Sequence, residues 1–120
     1  MDETTSIREQ NDAFRCHTRL AVTRGIKGQF VTTRGIAAKP KLDQERITDL
    51  VRMFGQYDGL EFTEENDPYG EHDFGSFEYK NEKVFWKIDY YNLDLTGGSE
   101  DPADPRITHR VLTILLAEEY

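Results

Sequence analysis

The pattern of apolar and polar positions changes its period along this chain, and the changes mark its elements. Ser6-Ile7-Arg8-Glu9 has the spacing of a capping box, in which the hydroxyl and the carboxylate each satisfy an orphan amide. It predicts a first helix over about 6–17, with a thin apolar stripe of Ile7, Ala13 and Phe14, preceded by a disordered 1–5. Leu20–Thr23 and Phe30–Thr33 are β-rich, with Gly25 and Gly28 between them. A hairpin fits, and a strand over 29–34 is the firmer expectation. Thr-Arg-Gly-Ile occurs at 23–26 and again at 33–36, and two copies do not make a repeat architecture.

Pro40 then breaks the chain. Asp43 is suited to N-cap the next helix, Leu42 to staple onto Ile47, and Gly55 to follow its C-cap. Ile47, Leu50, Val51 and Phe54 fall at i, i+3, i+4 and i+7, so helix 44–54 has one buried face. Residues 58–73 are a polar connector carrying Pro68 and Gly70. From Phe74 the period is two. Phe77 and Tyr79 alternate with Glu78 and Lys80, and a turn near Asn81-Glu82 leads into a second strand. Val84, Trp86, Ile88 and Tyr90 take one face of that strand, with Phe85, Lys87, Asp89 and Tyr91 on the other.

A second connector, 94–105, carries Gly97, Gly98, Pro102 and Pro105. In the closing run Ile107, Val111, Ile114 and Leu115 fit helical spacing. Its β-branched residues and the preceding hairpin favour a strand, which is the expectation adopted. The fold class is therefore α+β: one domain over 1–120, with two helices on one face of an antiparallel meander of three to four strands. Ile47, Leu50, Val51, Phe54, Val84, Trp86, Ile88, Val111 and Leu115 are expected to share its core.

Charge changes the picture more than composition does. The net charge is −8, yet residues 1–57 carry +3, residues 58–104 carry −11, and the rest balance. An acidic middle repels phosphate, which argues against direct nucleic-acid binding there. The bland account is a solubilising face. One cysteine, Cys16, excludes an internal disulfide. No apolar run suits a membrane span, and the acidic N-terminus is no signal peptide, so a cytoplasmic protein is expected.

Asn66–Gly75, Phe85–Tyr91, Ser99–Pro105 and Arg110–Tyr120 resemble a family catalogued as a domain of unknown function (DUF 3768). The likeness runs from Ile7 onward, is poor over 17–28, and is most specific from Asn66 to the end. It implies a small alphaproteobacterial protein carried on plasmids and other mobile elements. It assigns no activity and no functional residue, but a mobile-element origin suggests service against host defence.

Asp67, Glu71, His72 and Asp73 form the densest polar cluster. Carboxylates and an imidazole suit a divalent metal or acid–base work, and Asp67, His72 and Asp73 would centre a metal-dependent hydrolase. Their spacing matches no zinc motif, and a turn closed by Asp67-Pro68 and Gly70, with His72 hydrogen-bonded locally, is the better account. Asp73-Phe74-Gly75 repeats a kinase tripeptide without the rest of a kinase. Asp94, Glu100, Asp101 and Asp104 lack the spacing of an EF-hand loop. Cys16 and His17 are adjacent on a helix and do not face each other. Trp86, Tyr90 and Tyr91 are read as packing residues, and His109 has no visible partner. Arg15, Arg19, Arg24, Lys27, Arg34, Lys39 and Lys41 form a looser basic set, available to nucleic acid or to an acidic partner.

No cluster has a catalytic spacing, so a non-enzymatic interaction protein without cofactor or metal is expected. Its partner-binding residues would be Asp67, Glu71, Asp73, Glu78, Glu82, Asp89, Glu100, Asp101 and Asp104. These would mimic phosphates toward a basic nucleic-acid-binding complex, as an anti-CRISPR or anti-restriction inhibitor does. Glu78, Glu82 and Asp89, with Glu100, Asp101 and Asp104 from the loop, would form a rail, because alternate strand residues lie about 6.6–6.8 Å apart, close to two phosphate steps. The alternatives are the hydrolase and a plasmid-encoded DNA-binding adaptor using the basic N-terminal half. A monomer or a homodimer paired through free sheet edges is expected.

Overall fold

The structure is a computed structural model describing residues 2–120. The first helix, α1, spans Glu3–Cys16. Asp2 caps it, accepting the Thr5 amide at 2.7 Å, so the helix starts a turn earlier than the Ser6–Glu9 spacing suggests. Residues 2–5 are ordered by that cap, correcting the expected disorder; Met1 lies outside the described residues.

Leu20–Thr23 also departs from expectation. Thr18–Thr23 is a short helix, α2, with the Ala21 amide donating to His17 O (2.9 Å) and Arg24 to Leu20 O (3.0 Å). Placed directly after α1, it buries Ala21 and leaves Leu20 and Val22 exposed, so tertiary packing overrides β-propensity. The strand β1 follows at Lys27–Thr32, and a single-turn helix, α3, at Arg34–Ala37.

The helix α4 runs Lys41–Met53 and buries Ile47 and Val51 with Phe54 behind them, as the periodicity requires. Its start differs: Pro40 occupies the N-cap position and Leu42 is exposed, so no staple forms. Asp43 instead accepts the Tyr79 hydroxyl at 2.6 Å and pairs with Lys80 at 3.0 Å, tying the first turn of α4 to the hairpin. Gly55 takes φ +89° just past the helix, the left-handed conformation that suits a C′ glycine.

The strands β2 (Phe74–Tyr79) and β3 (Glu82–Tyr91) form the expected hairpin, turning at Lys80 and Asn81, both left-handed (φ 49° and 69°). The closing run is the strand β4, His109–Leu116, antiparallel to β3, and a 3₁₀ turn at Ala117–Glu119 follows it. The sheet order is β1-β4-β3-β2. The α+β class stands, but β1 joins β4 in parallel, so the sheet is mixed. The chain between β1 and β2 holds α3 and α4, long enough for β1 to lie outside the antiparallel meander.

Trp86 lies fully buried at the centre, edge-on to Phe54 at 5.5 Å and to Phe62 at 6.0 Å. A side chain at Gly75, opposite Trp86 across the hairpin, would overlap its indole. The core positions of β4 are Leu112, Ile114 and Leu116, opposite Ile88, Trp86 and Val84. Val111 and Leu115 therefore face the other way, against expectation. Both sides of β4 are apolar, so alternation supplies no phase there, and pairing with β3 sets it.

Candidate functional site

The strands β1, β2 and β4 begin, and β3 ends, at one end of the sheet. Both acidic connectors therefore lie at that end. Residues 56–73 and 92–108 together carry eleven carboxylates against one arginine, Arg106.

A row of polar side chains on α1 holds this acidic pole. Arg8, Asn11, Asp12 and Arg15 recur at helical spacing, and the first three address consecutive loop residues. Arg8 Nη1 donates to Gly70 O (3.3 Å) and Asn11 Nδ2 to Glu71 O (3.0 Å). His72 Nδ1 lies 2.9 and 3.1 Å from the two Asp12 oxygens, and it donates, because a carboxylate only accepts. Gln10 reaches the second loop, donating to Ala103 O at 2.7 Å.

Beneath both loops lies Arg110, fully buried on β4. Its Nε donates to Asn11 Oδ1 (2.7 Å) and its Nη2 to Pro102 O (2.9 Å), while Nη1 has no partner. Asn11 also donates to the Tyr90 hydroxyl at 2.8 Å, and that hydroxyl points to Glu71 Oε1 at 3.4 Å. No carboxylate pairs with Arg110 among the described residues. Burial pulls its guanidinium down to about 10 and pushes the Tyr90 phenol up.

The nine acids proposed from sequence divide by place. Asp67 is nearly buried and accepts the His72 amide (3.1 Å), closing its loop, and His72 takes φ +56° there. Asp101 Oδ1 accepts Ala103 N (3.1 Å), and Asp104 accepts Arg106 N, Nε and Nη2 at 2.9–3.0 Å. These three hold turns. Glu71 and Asp73 join Asp67 at the pole, and Glu100 stands exposed on the second connector. The rail does not form. Glu78 and Asp89 share the outer sheet face, Asp89 paired with Lys87 at 3.0 Å, but Glu82 lies on the helix side bonded to Lys39. Glu82 and Asp89 are also about 23 Å apart along β3. Asp58, Glu61, Glu64, Glu65 and Asp94 are further exposed acids on the two connectors; the first four lie in a stretch of 27 residues, 53–79, without Lys or Arg.

His72 stacks flat on Phe62 at 3.8 Å, with Nε2 3.8 Å from Asp67 Oδ2. Among the described residues no group of three His, Cys, Asp or Glu side chains is placed to hold a metal ion. Arg15 leaves the exposed basic set entirely, being 2 % exposed under Phe62 and Trp86. Cys16 is half-buried and accepts a bond from Gln56 at 3.6 Å. No helix among the described residues is long and apolar enough to cross a membrane.

Asp73 yields a prediction. Burial, then the charges of Glu71, Asp67 and Asp89, raise its carboxyl from 3.8 to about 6. A folded-state value above the unfolded one adds stability that is complete below about pH 4 and lost as pH rises through about 6. Partial solvent screening reduces the loss to about 1–2 kcal/mol. Asp2, Asp43, Asp104 and Glu119 are shifted down by hydrogen bonds, so they act in the opposite sense, below about pH 4. Denaturant unfolding at pH 5 and pH 8 should show the wild type weaker at pH 8 and Asp73→Asn nearly level. A variant as pH-dependent as the wild type would remove Asp73 from the account.

Residues 32–119 match the family described as "Protein of unknown function (DUF3768)", so the match begins later than Ile7. No curated protein and no solved structure matches the chain.

Proposed function

The chain belongs to the DUF3768 family, whose description carries no activity, and from its surface we propose a non-catalytic interaction protein whose acidic pole occupies the basic groove of a nucleic-acid-binding protein. The carrying observation is topological: one sheet end gathers both acidic connectors, eleven carboxylates against a single arginine. The mimicry would be made by loops rather than by a strand rail. The loops are tied to α1 and Arg110 from beneath, which preorders the carboxylates and reduces the entropy lost on binding. In its specific form the partner is a restriction or CRISPR-type effector, and the chain competes with the DNA that effector holds.

The test follows from which acids are free. Asp101 and Asp104 hold turns, so reversing them would disturb the loop; Glu64, Glu65 and Glu100 are exposed. The tagged chain should capture a nucleic-acid-binding protein from a host lysate. Duplex DNA should release it, and so should rising salt, because charges are screened over about 8–10 Å at 0.10–0.15 M. Glu64→Lys, Glu65→Lys and Glu100→Lys together should abolish capture and change stability by less than about 0.5 kcal/mol. Capture surviving the triple variant would refute the proposal. So would direct DNA binding that Arg24→Glu, Lys27→Glu and Arg34→Glu remove, which would move the function to the basic half.

A further inference from the structure

The opposite charge has its own surface. Residues 13–42 hold seven Lys and Arg and no Asp or Glu; Arg15 is buried and Lys39 is bonded to Glu82, which leaves five exposed, and among the described residues this segment contains β1, an edge strand whose second side is unpaired. The Thr33 amide donates to Ile114 O (3.1 Å). By alternation Val31 and Gln29 turn their main-chain groups to β4, and Gly28, Phe30 and Thr32 turn theirs outward. Beside this edge, on the helix side, lies a groove of about 260 Å³ between α2, Phe30 and Arg52. Ala21, Val22, Ile26 and Phe30 supply its apolar wall. The Arg52 guanidinium lies 4.4 Å over the Phe30 ring, with Nη1 donating to Arg15 O (3.1 Å) and Thr18 Oγ1 (3.3 Å). No carboxylate pairs with Arg52 among the described residues. The groove is smaller than the roughly 300–1,000 Å³ of small-molecule sites and suits one or two aliphatic side chains.

We propose that β1 takes an extended acidic peptide segment of a partner protein as a fifth strand. The outward groups of Gly28, Phe30 and Thr32 would bond its main chain. An added strand lies about 4.8 Å from its neighbour, which brings its alternate side chains over the groove. Arg52, Arg19 and Arg24 would meet its carboxylates. A second copy is the disfavoured occupant, because β1 against β1 would bring together two segments that each expose Arg19, Arg24, Lys27, Arg34 and Lys41. This surface adjoins the acidic pole at Lys27, whose Nζ donates to Pro105 O (3.5 Å), but the groove itself is lined by no residue of the pole, so each can fail alone.

The probe is a short dye-labelled peptide of the repeat valine-threonine-glutamate-threonine, which sets valine and glutamate in turn on one face, with lysine in place of glutamate as control. The acidic peptide should bind the full chain and shift the backbone amides of Gly28, Phe30, Thr32 and Val22, and the control should not. Thr32→Pro removes an outward amide on an edge strand, where proline is tolerated, and should weaken binding about tenfold. Val22→Asp, at an exposed position lining the groove, should weaken it without touching the sheet. The proposal is overturned if the acidic peptide does not bind, if Val22→Asp binds as tightly as the wild type, if the shifts map to β2 or the outer sheet face, or if duplex DNA shifts the same amides and displaces the peptide.

Discussion

Arg110→Ala is expected to lower the unfolding free energy by about 3–5 kcal/mol, a large share of the stability of a domain that has roughly 5–15 kcal/mol in total. Three losses combine. The side chain is fully buried, so a cavity opens. Asn11 Oδ1 and Pro102 O lose their donor in a place water does not reach readily, and an unsatisfied buried acceptor costs about 1–3 kcal/mol. The third is the stacking of the guanidinium 5.3 Å from the Tyr90 ring. Arg110→Met separates packing from hydrogen bonding, because it fills much of the volume and donates nothing. Denaturant midpoints should rank wild type, Arg110→Met and Arg110→Ala in falling stability. A cycle with Asn11→Ala should show coupling above about 0.5 kcal/mol, since the two share one bond. Additive effects would mean that Arg110 acts alone and that α1 and β4 are not joined through it.

What the sequence shows and what it hides divide along physical lines. The α4 stripe and the β2–β3 alternation are visible because each element has one apolar face, and the structure places Ile47, Val51, Val84, Trp86 and Ile88 in the core. β4 is apolar on both sides, so its existence is legible and its phase is not. β1 is short, and its parallel pairing with β4 depends on a partner more than seventy residues away. At the N-terminal cap two signals compete: Ser6–Glu9 has the better motif, but Asp2 stands where the helix begins. At the acidic pole, charge counting finds the two loops but cannot show that they meet, which is a matter of strand direction. The polar row on α1 escapes a search for apolar periodicity, though Arg8, Asn11 and Arg15 have the same i, i+3, i+7 spacing. Buried arginines are rare, so sequence alone places Arg15 with the surface charges.

Arg15 carries the second large effect. Arg15 Nη1 donates to Val51 O (2.8 Å) and Phe54 O (2.9 Å), with Arg52 O at 3.3 Å. These carbonyls belong to the last turn of α4 and its cap, where helices leave acceptors without partners and where a cation is favoured by the helix dipole. On its other side Nη2 meets Asp12 at 3.3 Å, and Asp12 takes the His72 bond that anchors the acidic loop. The guanidinium carbon lies 5.0 Å from the Trp86 ring and 5.5 Å from Phe62. One side chain therefore joins α1, the end of α4 and the loop that precedes β2. Arg15→Ala is expected to cost about 3–5 kcal/mol by leaving several buried acceptors without a donor. Arg15→Lys keeps the charge but not the planar fork, and a point donor cannot serve both sides, so it should still lose about 2–3 kcal/mol. Trp86 is the only tryptophan, so its fluorescence reports this contact directly. Arg15→Lys should shift the emission of the folded protein and lower the denaturant midpoint together. A lysine variant within about 1 kcal/mol of the wild type, with unchanged emission, would mean that water satisfies the α4 carbonyls and that Arg15 is not the joint between α1 and α4.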